Sequence, residues 1–232
     1  MLTARLVCVA DLGQETRHLE FEAAEPFQFI PGQFISVTRE HNGRELTRAY
    51  SLASAPRGDQ RFDLCLNRVA HGFFSNFLCD MKAGGEIRFH GPHGLLTLAN
   101  PSRDSVFVAS GTGIAPIRGM IQWLFEDSVR HADREFWLLF GTRSEQAIYY
   151  DAEFRELAQQ FPQFHYLVTL SRASESWRGM RGYVQDHLAD IARGRGDSDA
   201  YIRGLKNMVT ANRNLLQELG WERKSIHYER FD

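Results

Sequence analysis

The chain has 232 residues, 43% of them hydrophobic and 24% charged, with a formal net charge of −2 at pH 7. This near-neutral balance argues against binding to nucleic acid or to an anionic membrane surface, and no apolar run is long enough to cross a membrane. The stretch Met1–Ala10 carries Arg5 and is typical of a strand rather than of a signal peptide. We therefore expect a cytoplasmic monomer.

The first predicted domain, residues 1–99, consists of short segments with the two-residue alternation of strands, separated by Pro-Gly, Asn-Gly and Gly-Gly turns. The predicted strands are Leu2–Ala10, His18–Ala23, Phe34–Thr38, Tyr50–Ala53, Arg61–Asn67 and Glu86–His90. Such closely spaced short strands predict an antiparallel six-stranded β-barrel. One helix is expected within it, over Gly72–Met81, where phenylalanines recur at helical spacing.

After a polar break at residues 100–104, the second predicted domain, residues 105–232, alternates apolar runs with amphipathic helices. The expected strands are Val106–Ala109, Phe136–Phe140, Tyr166–Leu170, Ala200–Ile202 and Ser225–Phe231. The expected helices are Ile114–Phe125, Ala152–Phe161, Val184–Ile191 and Lys206–Leu219. This order predicts a five-stranded parallel Rossmann-like α/β domain, whose ligands bind at the carboxyl ends of the strands.

A glycine-rich turn, Gly111, Thr112 and Gly113, follows the first strand of the second domain and precedes a helix. Two glycines let backbone N–H groups approach a phosphate, and the start of the helix favours its negative charge. The pattern departs from the usual dinucleotide fingerprint in having Pro116 at the last position. A purely structural turn is the alternative.

Two segments of the first domain carry further candidate ligand groups. In Arg48–Ser51, an arginine can pair with a pyrophosphate, a tyrosine can lie on an aromatic ring and a serine can hydrogen-bond a ring nitrogen. Gly72–Asn76 begins the predicted helix, where free N–H groups can bind the same pyrophosphate. A mixed exposed strand and an ordinary helix cap are the alternatives, but three phosphate-type sites in one chain point together to two phosphate-bearing ligands.

The three cysteines, Cys8, Cys65 and Cys79, are too few and too scattered for a disulfide framework, a Cys-x-x-Cys metal site or an iron–sulfur cluster. We expect them to be buried small hydrophobic residues. The sequence therefore predicts no metal site.

These motifs, in their order along the chain, resemble the ferredoxin–NADP reductase superfamily over nearly the whole length, and some segments resemble its plant-type members. The segments that carry the resemblance are Pro31–Phe34, Arg48–Ser54, Ser75–Asp80, Gly91–Gly94, Gly111–Pro116 and Gly204–Lys206. The resemblance implies an FAD-binding barrel followed by a domain that binds a nicotinamide nucleotide. It implies a flavoenzyme that transfers a hydride from NADPH to FAD.

The resemblance also implies roles for single residues. Those expected to bind FAD are Arg48, Ala49, Tyr50, Ser51, Cys65, Leu66, Asn67, Arg68, Gly72, Phe73, Phe74 and Ser75. Those expected to bind the nicotinamide nucleotide are Gly111, Thr112, Gly113, Ser171, Arg172 and Tyr183. Ser51 would hydrogen-bond near the reactive flavin nitrogen, and Glu229 and Phe231 match the family's Glu-x-aromatic pair, in which the aromatic ring covers the flavin. These three are the expected catalytic residues.

Arg203 departs from the family, because it stands where the family has a cysteine near the nicotinamide. Phe231 followed by Asp232 also departs from the plant-type members, which end on a tyrosine.

Arg143 and Arg172 follow the second and third predicted strands of the second domain, and Arg178 and Arg181 follow in the next loop. Arginines near the adenosine ribose suit the 2′-phosphate of NADPH, and an acidic residue there suits NADH. Glu145 lies close to them. We expect NADPH, with NADH as the alternative.

The expected electron acceptor is ferredoxin or flavodoxin. An acidic ferredoxin would need a basic rim, for which the candidates are Arg57, Arg61, Arg68 and Arg88. The alternatives are an NAD(P)H:flavin reductase, an NADH-dependent reductase component of an oxygenase, and a flavin electron-relay subunit that does not use nicotinamide.

Overall fold

The structure is a computed structural model that describes residues 1–13, 15–99, 103–126 and 131–231. The chain forms two compact units. The first contains Met1–Thr97 and Arg118–Glu126, and the second contains Leu98–Ile117 and Asp127–Asp232. The second half of the helix over residues 114–126 thus belongs with the first unit. The sequence, in contrast, predicts one boundary between the two domains, at residues 100–104.

The first unit contains one antiparallel sheet of six strands. These strands are β1 Leu2–Gly13, β2 Thr16–Ala23, β3 Phe34–His41, β4 Arg44–Ser51, β5 Arg61–Asn67 and β6 Glu86–His93, in the order β4-β3-β6-β1-β2-β5. A bridge between Leu52 and Leu64 joins the two edge strands, and the Ala53 N–H donates to the Asp63 carbonyl at 2.7 Å. These bonds close the sheet, which confirms the predicted six-stranded barrel.

Apolar side chains fill the barrel because alternate strand positions point inward. Leu19, Phe21, Phe62 and Phe89 are 0% exposed, and Phe21 stacks on Phe62 with ring centroids 5.6 Å apart. The helix α1, Phe73–Asp80, packs against the same core. The interior is therefore a packed hydrophobic core, and ligands must bind on its outside.

A buried carboxylate ties the second half of helix α2, Ile114–Glu126, to the barrel. Asp63 is 1% exposed and accepts hydrogen bonds from Arg57 at 2.8 Å and from Arg118 at 3.0 Å. Arg118 also donates to the Ala53 carbonyl at 2.7 Å. Arg118 therefore hydrogen-bonds to both Ala53 and Asp63, the two residues whose backbone hydrogen bond helps to close the barrel.

The second unit contains a six-stranded parallel sheet with helices. Its strands are β7 Ser105–Ser110, β8 Phe136–Thr142, β9 Phe164–Leu170, β10 Met180–Arg181, β11 Asp199–Leu205 and β12 Ile226–Phe231. Its helices after α2 are α3 Asp151–Gln160, α4 Gln185–Ala192 and α5 Lys206–Glu218. The strand order β10-β9-β8-β7-β11-β12 confirms the parallel Rossmann-like arrangement and adds the two-residue strand β10 to the five that the sequence predicts.

The strand order places the switch in winding direction between β7 and β11, the point where sheets of this kind bind ligands. The strands are buried on both faces, as expected of a parallel sheet covered by helices. Val106, Val108, Leu139 and Ile202 are each 0% exposed. Within the described ranges, no helix is both long enough and apolar enough to cross a membrane.

Replacing Arg118 by methionine tests the tie at Asp63. Because Arg57 still pairs with Asp63, we expect a loss of about 2 kcal/mol, which lowers Tm by about 4–8 °C in a protein of this size. Thermal unfolding of the FAD-saturated protein measures it. Arg5→Met, which removes an exposed pair with Glu22, is the control and should cost about 0–1 kcal/mol. Equal shifts in the two variants would contradict this role.

Candidate active site

Strand β4 carries two of the predicted FAD residues, Arg48 and Tyr50, two positions apart and therefore on one face of the strand. Arg48 is exposed, and one of its nitrogens donates to the Thr47 carbonyl at 3.1 Å. Tyr50 is half-buried and packs against the barrel core. Burial raises the pKa of Tyr50 to about 12, so its phenol is neutral at physiological pH. An uncharged ring beside a guanidinium suits a flat aromatic ligand that carries a phosphate.

The start of α1 offers backbone donors to an anion. Gly72 precedes the helix in an extended conformation, no side chain caps it, and the first turn has no acidic residue. The Ser75 hydroxyl accepts from the Val69 N–H at 3.1 Å and donates to the Gly72 carbonyl at 3.4 Å, so it stabilises the turn itself. The first N–H groups of a helix have no partner within the helix and carry its positive end. They suit a pyrophosphate.

The structure brings β4 and α1 together. Cys79 of α1 lies close enough to Tyr50 to contribute to its raised pKa, after burial. Burial also raises the pKa of the Cys79 thiol, against the opposing effect of Arg68. Arg68 donates to Asp80 at 2.6 Å and to Asn76 at 3.0 Å, both on α1. Tyr50, Arg68 and the helix thus form one region, as expected for an FAD site.

Several predicted FAD residues lie elsewhere in this region. Cys65 and Leu66 are 7% and 4% exposed, so their side chains belong to the barrel and only their backbone can face a ligand. Phe74 is 5% exposed and packs in the core. Ser51 is half-buried at the end of β4, opposite Phe34. The guanidinium of Arg48, the uncapped helix and the neutral Tyr50 are the donor set that fits FAD.

In the second unit, the turn Gly111–Gly113 is a single 3₁₀ turn between β7 and α2. Gly111 has φ +53°, and a Cβ there would meet nothing within 4 Å, which leaves an open cradle. A Cβ on Gly113 would lie 2.4 Å from the Arg203 carbonyl oxygen, so only glycine fits between the turn and β11. No acidic residue stands in the first turn of α2. The cradle therefore fits the phosphates of a dinucleotide.

Two arginines lie side by side at the carboxyl ends of β8 and β9. The Arg172 N–H donates to the Arg143 carbonyl at 2.8 Å, and the Ser171 N–H donates to the Thr142 carbonyl at 3.0 Å. Arg143 and Arg172 are exposed, and neither guanidinium has a partner among the described residues. Arg143, Ser171 and Arg172 are thus brought together as the sequence predicts.

Two charged groups near these arginines are already engaged within the protein. Arg181 donates to the carbonyls of Ser174 at 2.7 Å and Trp177 at 3.0 Å, so its guanidinium stabilises the loop and offers less to a phosphate than expected. Glu145 accepts hydrogen bonds from the Ser174 hydroxyl at 2.5 Å and N–H at 3.0 Å. The first of these bonds is the main cause of its lowered pKa. Tyr183 is 62% exposed nearby, available for stacking.

The predicted catalytic residues Glu229 and Phe231 lie on one face of the edge strand β12, two positions apart. Arg203 lies opposite Glu229 on β11, and their charged groups are 2.7 Å apart. The guanidinium carbon of Arg203 is 5.7 Å from the centre of the Phe231 ring. The sequence marked Arg203 only as a departure from the family and gave no sign of these contacts.

The four arginines of the predicted basic rim are all paired with carboxylates of their own unit. Their partners are Asp63 for Arg57, Glu20 for Arg61, Asp80 for Arg68 and Glu45 for Arg88. Each of these arginines therefore has an acidic neighbour, although Arg57 and Arg61 share Glu20 and the Arg88–Glu45 contact is 3.9 Å long.

Two family models match the chain. The oxidoreductase FAD-binding domain matches residues 3–98, and the oxidoreductase NAD-binding domain matches residues 107–214. The fold, the donor sets and these matches define a flavin oxidoreductase that binds FAD and a nicotinamide nucleotide.

Similar proteins define the family more closely. Ferredoxin–NADP reductase B of Sorangium cellulosum is 41% identical, over 99% of this chain and 97% of its own length. The glycine betaine monooxygenase reductase subunit of Pseudomonas aeruginosa is 30% identical, over 98% of this chain and 63% of its own length. The solved Amycolatopsis cytochrome P450 reductase GcoB is 29% identical, with a TM-score of 0.89 over 99% of this chain and 69% of that one. The chain belongs to the ferredoxin–NADP reductase family.

Gly113→Ala tests the turn. Its new methyl group would lie 2.4 Å from a backbone oxygen and push the turn away from β11. We expect the Kd for the nicotinamide nucleotide, measured by flavin difference spectroscopy, to rise about tenfold, since misplaced N–H donors cost about 1–3 kcal/mol. The control is Gly196→Ala, where a Cβ meets nothing within 4 Å. Unchanged affinity in Gly113→Ala would contradict the assignment.

Proposed function

We propose that the chain oxidises NADPH by hydride transfer to FAD and passes the electrons to ferredoxin or flavodoxin. The observation that carries the choice of NADPH is the pair of partner-free guanidinium groups, Arg143 and Arg172, at adjacent strand ends. Arginine binds phosphate through planar, paired donors. A 2′-phosphate is the group that distinguishes NADPH from NADH, and it meets two such residues here.

The position of Glu145 supports the same choice. An enzyme that prefers NADH commonly presents a free carboxylate to the ribose hydroxyls. The Glu145 carboxylate instead accepts two hydrogen bonds from Ser174. The guanidinium groups of Arg143 and Arg172 have no partner among the described residues, which favours a phosphate over a hydroxyl at this site.

Each group of residues then has a task. Arg48 and the start of α1 hold the FAD pyrophosphate, and Tyr50 supplies a flat neutral surface. The Gly111–Gly113 cradle holds the nicotinamide nucleotide's phosphates, and Arg143 and Arg172 hold its 2′-phosphate. Ser51, Glu229 and Phe231 take the catalytic roles that the family resemblance implies. Bound FAD supplies the redox chemistry, accepting a hydride and releasing electrons, while these residues orient the reactants.

The acceptor is proposed from the similarity to the Sorangium ferredoxin–NADP reductase, which this chain matches over 97% of that protein's length. The arginines of the expected rim already have acidic neighbours within the protein. The exposed side chains of Arg44 and Lys82 in the first unit have no partner among the residues described and are further candidates for the docking surface.

A second candidate function is that of an oxygenase reductase component. The similarities to the glycine betaine monooxygenase reductase subunit and to the P450 reductase GcoB favour it. This chain covers only 63% and 69% of those proteins. The monomeric state and the cytoplasmic location stay predictions.

Changing Arg143 or Arg172 to glutamine tests the NADPH site. Each change removes a charged contact worth about 1.5–3 kcal/mol, so the KM for NADPH should rise about tenfold to a hundredfold. The KM for NADH should change less than about twofold, because NADH lacks the phosphate. Stopped-flow flavin reduction with both nucleotides measures these values.

Arg193→Gln is the matched control, because Arg193 is exposed at the end of α4, shortly before β11 begins. Arg193 therefore lies near the amino ends of the strands, away from Arg143 and Arg172. It should leave both KM values unchanged. Faster flavin reduction of the unmodified protein by NADH than by NADPH, at equal concentration, would contradict the proposed cofactor and favour the oxygenase component.

Anaerobic assays with NADPH and three acceptors test the electron partner. A docked protein holds its redox centre in a fixed orientation, so ferredoxin or flavodoxin should be reduced at least about tenfold faster than free riboflavin. The absorbance change of each acceptor measures the rate. Equal or faster reduction of riboflavin would identify a flavin reductase instead.

A further inference from the structure

Arg203 has an uncommon environment for an arginine. It is 8% exposed, lies near the carboxyl end of β11 and faces the edge strand β12. Its guanidinium is 2.7 Å from the Glu229 carboxylate and 5.7 Å from the centre of the Phe231 ring. A buried charge is costly unless it is paired, so the contact with Glu229 stabilises this placement.

The register of β11 and β12 explains why one side chain contacts both residues. Arg203 is directly opposite Glu229, and Phe231 is two positions further along the same face of β12. Arginine can pair with a carboxylate through its planar fork while it also interacts with an aromatic ring. A cysteine at this position could do neither.

The backbone of Arg203 is fixed from the other side. Gly113 packs so closely on the Arg203 carbonyl that a Cβ would lie 2.4 Å from it, and the neighbouring Gly204 packs against the Ser110 hydroxyl in the same way. β12, in contrast, lies at the edge of the sheet, with β11 as its neighbour. The fixed strand β11 can therefore hold the end of the edge strand through Arg203.

We propose that Arg203 is a positioning residue for hydride transfer, which fixes the Glu229 carboxylate and the Phe231 ring at the carboxyl end of β12. The inference rests on the proposed function, in which Glu229 and Phe231 are catalytic. Arg203 stands where the family has a cysteine, and a cysteine could not hold Glu229 and Phe231 in this way. The NADPH 2′-phosphate is held elsewhere, by Arg143 and Arg172, so Arg203 affects the rate of transfer more than the binding of the nucleotide.

The kinetic test compares Arg203→Met, Arg203→Lys, Glu229→Gln and the double variant Arg203→Met with Glu229→Gln, all loaded with FAD. At saturating NADPH, flavin reduction by Arg203→Met should be roughly tenfold slower or more, because small misplacements of reacting groups have large effects on rate. The NADPH concentration for half-maximal rate should change less than about twofold. Arg203→Lys keeps the charge and should recover part of the rate.

The double variant separates a role through Glu229 from an independent one. If Arg203 acts through Glu229, the double variant is no slower than the slower single variant. The proposal would be overturned if the rate of the double variant fell by the product of the two single-variant losses. An unchanged rate in Arg203→Met would also overturn it. Arg230→Met is the matched control, since Arg230 is exposed on the other face of the same strand and has no partner among the described residues.

A second measurement does not depend on activity. Hydrogen exchange of the FAD-loaded protein should be about fivefold faster at residues 226–231 in Arg203→Met and unchanged in Arg230→Met. Unchanged exchange in Arg203→Met would overturn the positioning role even if NADPH reduces the flavin. If neither nucleotide reduces the wild-type flavin, the proposed function fails, and hydrogen exchange alone decides whether Arg203 fixes the strand.

Discussion

The contact between Gly113 and the Arg203 carbonyl is the constraint on which the carboxyl edge of the parallel sheet depends. The two backbones approach so closely that no Cβ fits between them. The contact holds the Gly111–Gly113 turn against β11. Arg203 of β11 lies opposite Glu229 and so connects β11 to the edge strand β12. The cradle and the expected catalytic pair are therefore connected through β11, although they lie far apart in the sequence.

The candidate phosphate site of the first unit resembles that of the second. In both, the start of a helix is available rather than a dedicated cluster of side chains. Both α1 and α2 begin without an acidic residue in the first turn. The segment Arg48–Ser51 lies directly before the Leu52–Leu64 bridge that closes the barrel. Closure thus places the arginine and the tyrosine on a rigid strand. In the proposed sites, the backbone N–H groups at the start of each helix supply part of the phosphate recognition.

Local patterns made much of this predictable from the sequence. The glycine-rich turn can be predicted because glycine gives its own backbone the freedom that a tight turn needs. The alternation of strands and helices can be predicted because each has a characteristic spacing of buried residues. The strand β10, Met180–Arg181, is too short to show any period. In β5, the five consecutive residues Phe62–Leu66 are buried, so alternation could not show that the side chains of Cys65 and Leu66 are both buried.

The contacts of charged side chains could not be predicted, because they depend on strand register and on loop closure. A shift of one residue between β11 and β12 would separate Arg203 from Glu229. Nothing in the sequence shows that Arg181 donates to loop carbonyls or that Glu145 binds Ser174. Exposed arginines look alike in a sequence, and only the structure separates the free pair, Arg143 and Arg172, from those already engaged.

The proposed activity requires that this chain binds FAD and that NADPH reduces the bound flavin. Anaerobic titration of the purified yellow protein with NADPH, followed by flavin absorbance, tests this most directly. We expect one equivalent of NADPH per bound FAD to remove the absorbance of the oxidised flavin. A protein whose bound flavin keeps its absorbance with excess NADPH and with excess NADH would contradict it.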